Sequence, residues 1–135
     1  MVLGSNILGV ENSLAITRGE SATFQLYVTN PDEAVSGEAS PPVNLTGSRV
    51  VFTVKRCISD KDVVFRKDSA NGVLEIALVD AKAGEVEIYI TPDDTSRLEA
   101  GEYVFDVWVI LVDGSRYKVV GPASLVIAEG VTFLM

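Results

Sequence analysis

Hydrophobic and polar residues alternate along most of this chain with a period of two, the pattern of strands that bury one face and wet the other. From Ser21 to Thr29, Ala22, Phe24, Leu26 and Val28 fall on one side, while Thr23, Gln25, Tyr27 and Thr29 fall on the other. Arg49 to Arg56 resumes the pattern with Val50, Phe52 and Val54, and Val63 to Phe65 reads as a short strand after the polar turn Ser59-Asp60-Lys61-Asp62. Leu74, Ile76 and Leu78 follow the turn signal Asn71-Gly72, and then Val86, Ile88 and Ile90 alternate against Glu85, Glu87 and Tyr89. The longest run places Tyr103, Phe105, Val107, Val109 and Leu111 on an entirely apolar face, with Glu102, Val104, Asp106, Trp108 and Ile110 opposite. Asp113-Gly114 supplies a hairpin turn, and Tyr117 to Val120 and Ala123 to Ile127 provide the last strands.

One segment breaks the alternation in the helical direction. Thr91 is an N-cap residue type, Pro92 suits the first helical position because its missing N–H has no partner to lose, and Asp93 and Asp94 sit at the positive end of the dipole. Leu98 closes the helix and Gly101 stops it, so the element is a corner piece. About seven or eight short strands separated by turns, with one helical turn, predict an all-β fold, an immunoglobulin-like antiparallel β-sandwich.

The organisation expected is a single domain at 12–128 between two apolar ends, an N-terminal arm at 1–11 and a C-terminal tail at 129–135. Chain ends are usually polar and disordered. Here Leu3, Ile7 and Leu8 at the start and Phe133, Leu134 and Met135 at the finish are apolar, so they either pack back on their own sandwich or dock on another subunit, and they are candidate interface residues, together with Trp108. The segment 30–44, rich in Pro, Ser, Gly, Glu and Ala, is expected to be a long mobile loop rather than a boundary, because the strands on either side need each other.

Composition bounds the partners. With a net charge of -8 and no long uninterrupted apolar run, the chain is expected to be soluble and to avoid nucleic acid and anionic membrane. The apolar start lacks a basic leader, so synthesis without a secretory signal is expected. The charge is uneven. Bases gather at Arg49, Lys55, Arg56, Lys61, Arg66 and Lys67, whereas acids dominate from Glu75 to Glu102. A solvated mixed-sign surface accounts for this most simply; complementary docking between copies or onto a neighbour is the sharper reading.

Reactive chemistry finds little to stand on. The chain has no histidine, which removes the usual general base and the Ser-His and Cys-His pairs, and its single cysteine, Cys57, cannot form an internal disulfide. Asp93 and Asp94 are accounted for by the helix start, Asp60 and Asp62 by a turn, and Glu85 and Glu87 by a solvated strand face. No enzyme activity, cofactor or metal site is expected. Trp108 stands out, because it lies opposite the uniformly apolar face, where a tryptophan is either covered by another segment or anchors a partner.

The phrases RGESATFQLYVTNPD, PVNLTGSRVVFTVKR, DAKAGEVEIYITPDDTSRLEAGEYVFDVWVILVDG and GPASLVI, spread from Arg18 to Ile127, resemble a group of small immunoglobulin-like structural proteins of tailed bacteriophages, including the N-terminal domain type of baseplate upper proteins. The resemblance implies a non-catalytic virion part, assembled in the host cytoplasm, that docks on other virion proteins and forms a homo-oligomer. The insertion DEAVSGEAS departs from the pattern, as does the expectation that no fibre, coiled-coil or receptor-binding domain follows Ile127. These departures leave two locations open, a tail or baseplate component and a capsid decoration or cement protein. The alternative is a carbohydrate- or receptor-binding module in which Tyr27, Tyr89 and Trp108 would have to form one exposed platform.

Overall fold

The computed structural model describes residues 4–7, 13–30, 37 and 41–131. Among these residues nine strands form two sheets. One sheet has the order β1-β3-β7-β6, built from β1 (Gly4–Ile7), β3 (Ala22–Thr29), β7 (Glu85–Ile90) and β6 (Ile76–Asp80). The other has the order β2-β9-β8-β4-β5, built from β2 (Ser13–Thr17), β9 (Arg116–Ala128), β8 (Gly101–Ile110), β4 (Arg49–Lys55) and β5 (Phe65–Asp68). The fold is all-β, and the two sheets share one core.

Alternation explains the core directly. Leu26 and Val28 from β3, Val86, Ile88 and Ile90 from β7, and Ile76 from β6 are buried from one side. Val50, Phe52 and Val54 from β4 meet them from the other, with Tyr103, Phe105, Val107 and Val109 from β8. The Phe52 ring packs at a tilt on Phe105 and on Phe65, with centroids 5.4 and 6.1 Å away. Burying such side chains contributes about 1.5–3 kcal/mol each before the entropy of ordering is subtracted.

Two strands are not marked by the alternation. Gly4–Ile7, within the apolar arm expected at 1–11, is the antiparallel edge strand β1, paired with β3 from Gly4↔Thr29 to Ile7↔Leu26. Ser13–Thr17 is β2, running parallel to the end of β9, with Leu14 and Ile16 in the core. The chain thus crosses from one sheet to the other between β1 and β2. Beyond the C-terminal end of β9, Glu129, Gly130 and Val131 are exposed. Leu74, expected to continue an apolar face, is instead exposed, because the chain makes a 3-10 turn at Ser69–Asn71 and enters β6 only at Ile76.

The last strand is continuous where a break was expected. Pairing with β8 shifts between Phe105↔Ala123, Val107↔Val120 and Trp108↔Lys118, so β9 carries extra residues and both Val119 and Val120 are buried. Gly121 makes the bulge possible. Its φ of 91° is costly for other residues, and a Cβ there would stand 2.5 Å from the Phe105 carbonyl oxygen.

The corner element α1 (Pro92–Ser96) carries the chain from β7 to β8. The helix starts where Thr91 and Pro92 predicted, and the Asp94 carboxylate accepts a hydrogen bond from the Thr91 N–H at 2.7 Å, a capping contact beyond the dipole role expected of it. The same carboxylate pairs with Lys67 Nζ at 2.7 Å, tying α1 to β5, and the pair is largely buried. Buried Thr95 accepts from the Gly19 N–H at 2.9 Å, and Arg18 donates to the Ser96 carbonyl at 3.1 Å, so the turn between β2 and β3 holds the same corner.

A second polar clamp fixes β5 to β4. Asp68, nearly buried, accepts from Arg49 Nε at 2.9 Å and also pairs with Arg49 Nη2, while its Oδ1 accepts from the Ala70 N–H to cap the 3-10 turn. The hydrogen-bonded Arg49 guanidinium holds the Asp68 carboxyl below the ordinary carboxylate range. A depressed folded-state value means that the stabilisation is present above the unfolded value and is lost as pH falls through the folded one. Asp68→Asn is therefore expected to cost about 2 kcal/mol at neutral pH, as for a buried charge-assisted bond, and distinctly less near pH 3, measured by denaturant titration. Gly121→Ala is expected to cost about 2 kcal/mol or more, because strain at φ adds to the backbone clash.

Candidate interaction surface

Pairing register defines what lies outside the five-stranded sheet. Residues directly opposite one another share a face. One row runs Arg49, Ile110 and Arg116; the next runs Asp68, Val51, Trp108 and Lys118; the next holds Arg66, Thr53 and Asp106; and beyond it lie Lys55, Val104 and Ser124. Trp108 sits in the middle of this grid, 39% exposed, between Val51 on β4 and Lys118 on β9. Its indole N–H donates to Asp106 Oδ2 at 3.1 Å along its own strand. That bond holds the polar edge of the ring and leaves apolar ring surface exposed to solvent.

Below this row the face dips into a shallow hollow of about 70 Å³ lined by Thr53, Lys55, Ile58, Val104, Phe105, Asp106 and Pro122. The bulge at Gly121-Pro122 forms part of its wall, so the feature that repairs the register of β9 also shapes the outer surface. Ile58 is 66% exposed in the turn after β4, next to exposed Cys57. The hollow contains one amine and one carboxylate and is too small to enclose a drug-sized ligand.

The opposite outer face, on the four-stranded sheet, has a different character. Thr23 pairs with Tyr89, Gln25 with Glu87 and Tyr27 with Glu85, and Ala77 and Asp80 continue the rows on β6. Tyr89 donates to Glu87 Oε2 at 2.9 Å, and this bond to a carboxylate pushes the phenol pKa up. Tyr27 and Tyr89 therefore lie on one sheet and Trp108 on the other. The single platform of three aromatics required for sugar stacking is not formed.

Of the sequence-derived interface candidates, Trp108 is on an outer face. Ile7 ends β1 opposite Leu26. Leu3, Leu8, Phe133, Leu134 and Met135 lie outside the described residues. Asp60 and Asp62 are in a turn after β4, and among the described residues no group of three or more Cys, Asp or Glu side chains is placed to hold a metal ion. No described helix is long and apolar enough to cross a membrane. Sequence reasoning missed the hollow, because its wall depends on a bulge that brings Pro122 beside residues far away along the chain; the Gly121-Pro122 dipeptide is the signal that marks it.

No protein-family model matches the chain, and no curated protein is similar to it.

Trp108 is the chain's one tryptophan, so its emission reports this face alone. The free protein is expected to emit to the red of a buried indole and to be readily quenched by acrylamide. Trp108→Ala is expected to leave the fold intact at a cost of about 1 kcal/mol, measured by thermal or denaturant unfolding.

Proposed function

We propose that the chain is an immunoglobulin-like sandwich acting as a non-catalytic docking component of a tailed-phage virion, where it clamps neighbouring virion proteins through an outer sheet face. The observation that carries the reading is Trp108, an aromatic with exposed ring surface, set among basic side chains at the centre of the five-stranded sheet's outer face. Tryptophan and arginine are enriched among interface anchors, and Arg49 and Arg116 lie in the row adjoining that of Trp108.

Two further observations support the immunoglobulin-like topology. The strand orders, with β1 on one sheet and β2 crossing to run parallel to the last strand of the other, suit a sandwich of that kind. The Tyr103 hydroxyl donates to the Glu99 carbonyl at 2.7 Å, just ahead of β8, which matches the tyrosine corner that marks this architecture. The disulfide and tryptophan core pin of antibody domains has no counterpart, and Phe52 against Phe105 fills the centre instead.

Mass spectrometry of purified particles tests the reading. The chain is expected in intact virions, and its absence from them would end the proposal. Copy number then separates the locations, hundreds per particle for a shell component and far fewer for a baseplate. Trp108→Ala is expected to reduce incorporation at unchanged folding.

A further inference from the structure

The two outer faces of the sandwich carry opposite charge. Arg49, Lys55, Arg66, Arg116 and Lys118 all point outward from the five-stranded sheet, against the carboxylates Asp68, Asp106 and Glu102 on the same face. Asp68 is paired with Arg49, while Asp106 and Glu102 accept from the neutral Trp108 indole and Ser124 hydroxyl and keep their charge, so the face carries a surplus of two bases. Lys55, Arg116 and Lys118 are at least partly exposed. On the four-stranded sheet the order reverses. Its strands contain no lysine or arginine, and Asp80, Glu85 and Glu87 are its charged groups. A chain with net charge -8 has thus kept a surplus of bases on one sheet, while the strands of the other carry acids alone, with Lys82 in the turn between β6 and β7.

The apolar content is also complementary. Trp108, Val51 and Ile110 lie in adjoining positions of the basic face, and Tyr27, Tyr89 and Ala77 lie among the carboxylates of the acidic one. We infer that the basic outer face of one copy docks on the acidic outer face of a second copy, in a head-to-tail association that leaves a free face of each kind at the two ends. Pairing two basic faces or two acidic ones sets like charges against each other, and nucleic acid is disfavoured by the overall charge. A four-stranded face about 20 Å on each side lies at the small end of specific interfaces, so the contact is weak in solution and gains where copies are already held at high local concentration. The inference rests on the same Trp108 face as the virion reading and names a second copy as the neighbour docked there; a monomer in solution would overturn it, while the virion reading stands or falls on particle composition.

Analytical ultracentrifugation of the full chain tests it. Average mass is expected to rise with protein concentration at about 0.1 M salt and to fall back toward the monomer at about 0.5 M, where contacts between exposed charges are screened. Arg116→Gln with Lys118→Gln, and separately Glu85→Gln with Glu87→Gln, are each expected to lower the association constant about tenfold or more, because interface charges are lost on one face only. Circular dichroism verifies that both variants fold, as expected for substitutions at sites that are not buried. An equimolar mixture of the two variants is diagnostic. Each retains the face the other lacks, so the mixture is expected to form one-to-one pairs that do not grow. A single monomeric species at every concentration would overturn the inference, as would a dimer indifferent to the Glu85 and Glu87 changes.

Discussion

The apolar face of β8 is the constraint on which the other elements depend. Tyr103, Phe105, Val107 and Val109 are all buried, and they stay buried only if the neighbours of β8 on both sides keep register with them. On the β4 side this comes without adjustment, since every pair from Arg49↔Ile110 to Lys55↔Val104 is in phase. On the β9 side the register shifts twice, once at Gly121 and again between Val120 and Lys118, and the two extra residues together restore the alternation. A one-residue shift left uncorrected would carry Leu125 and Ile127 to the surface.

Holding the inner faces together also determines what the outer faces present. Because strand pairs share faces, burying Val50, Phe52 and Val54 sends Arg49, Val51, Thr53 and Lys55 outward, and burying β8's aromatic and valine positions sends Trp108 and Asp106 out beside them. The same rule on the other sheet brings Glu85, Glu87 and Tyr89 to the surface. The unequal charge of the two faces is thus a direct consequence of which strands pair. Lys67 is the exception. It points inward from β5 opposite Phe52, and Asp94 at the start of α1 neutralises it at the margin of the core.

Much of this is legible in the alternation of the chain. The faces of β3, β4, β7 and β8 follow from period-two spacing, and the capped turn at Thr91 follows from residue type. The start was harder to read. Ser13–Thr17 is short and adjoins an apolar stretch, so Leu14 and Ile16 do not stand out from it, and Gly4–Ile7 has no clear alternation, being recruited by the open edge of β3. Leu74 misleads in the opposite way, because a local 3-10 turn capped by Asp68 and Gly72 overrides the hydrophobic pattern. For the candidate surface, the outward position of Trp108 was readable from parity along one strand. The neighbours that give it meaning, Val51 and Lys118, are set by pairing across the sheet and carry no local signal.

The outer face of the five-stranded sheet is the surface proposed to carry the function. Hydroxyl-radical footprinting of the chain, free and in its native assembly, tests this most directly, with Trp108 as the reporting residue. Strong protection of Trp108 in the assembly, with Val112 at the exposed hairpin tip still modified, is the result expected. Equal modification of Trp108 in both states would contradict the claim and place the working surface elsewhere on the molecule.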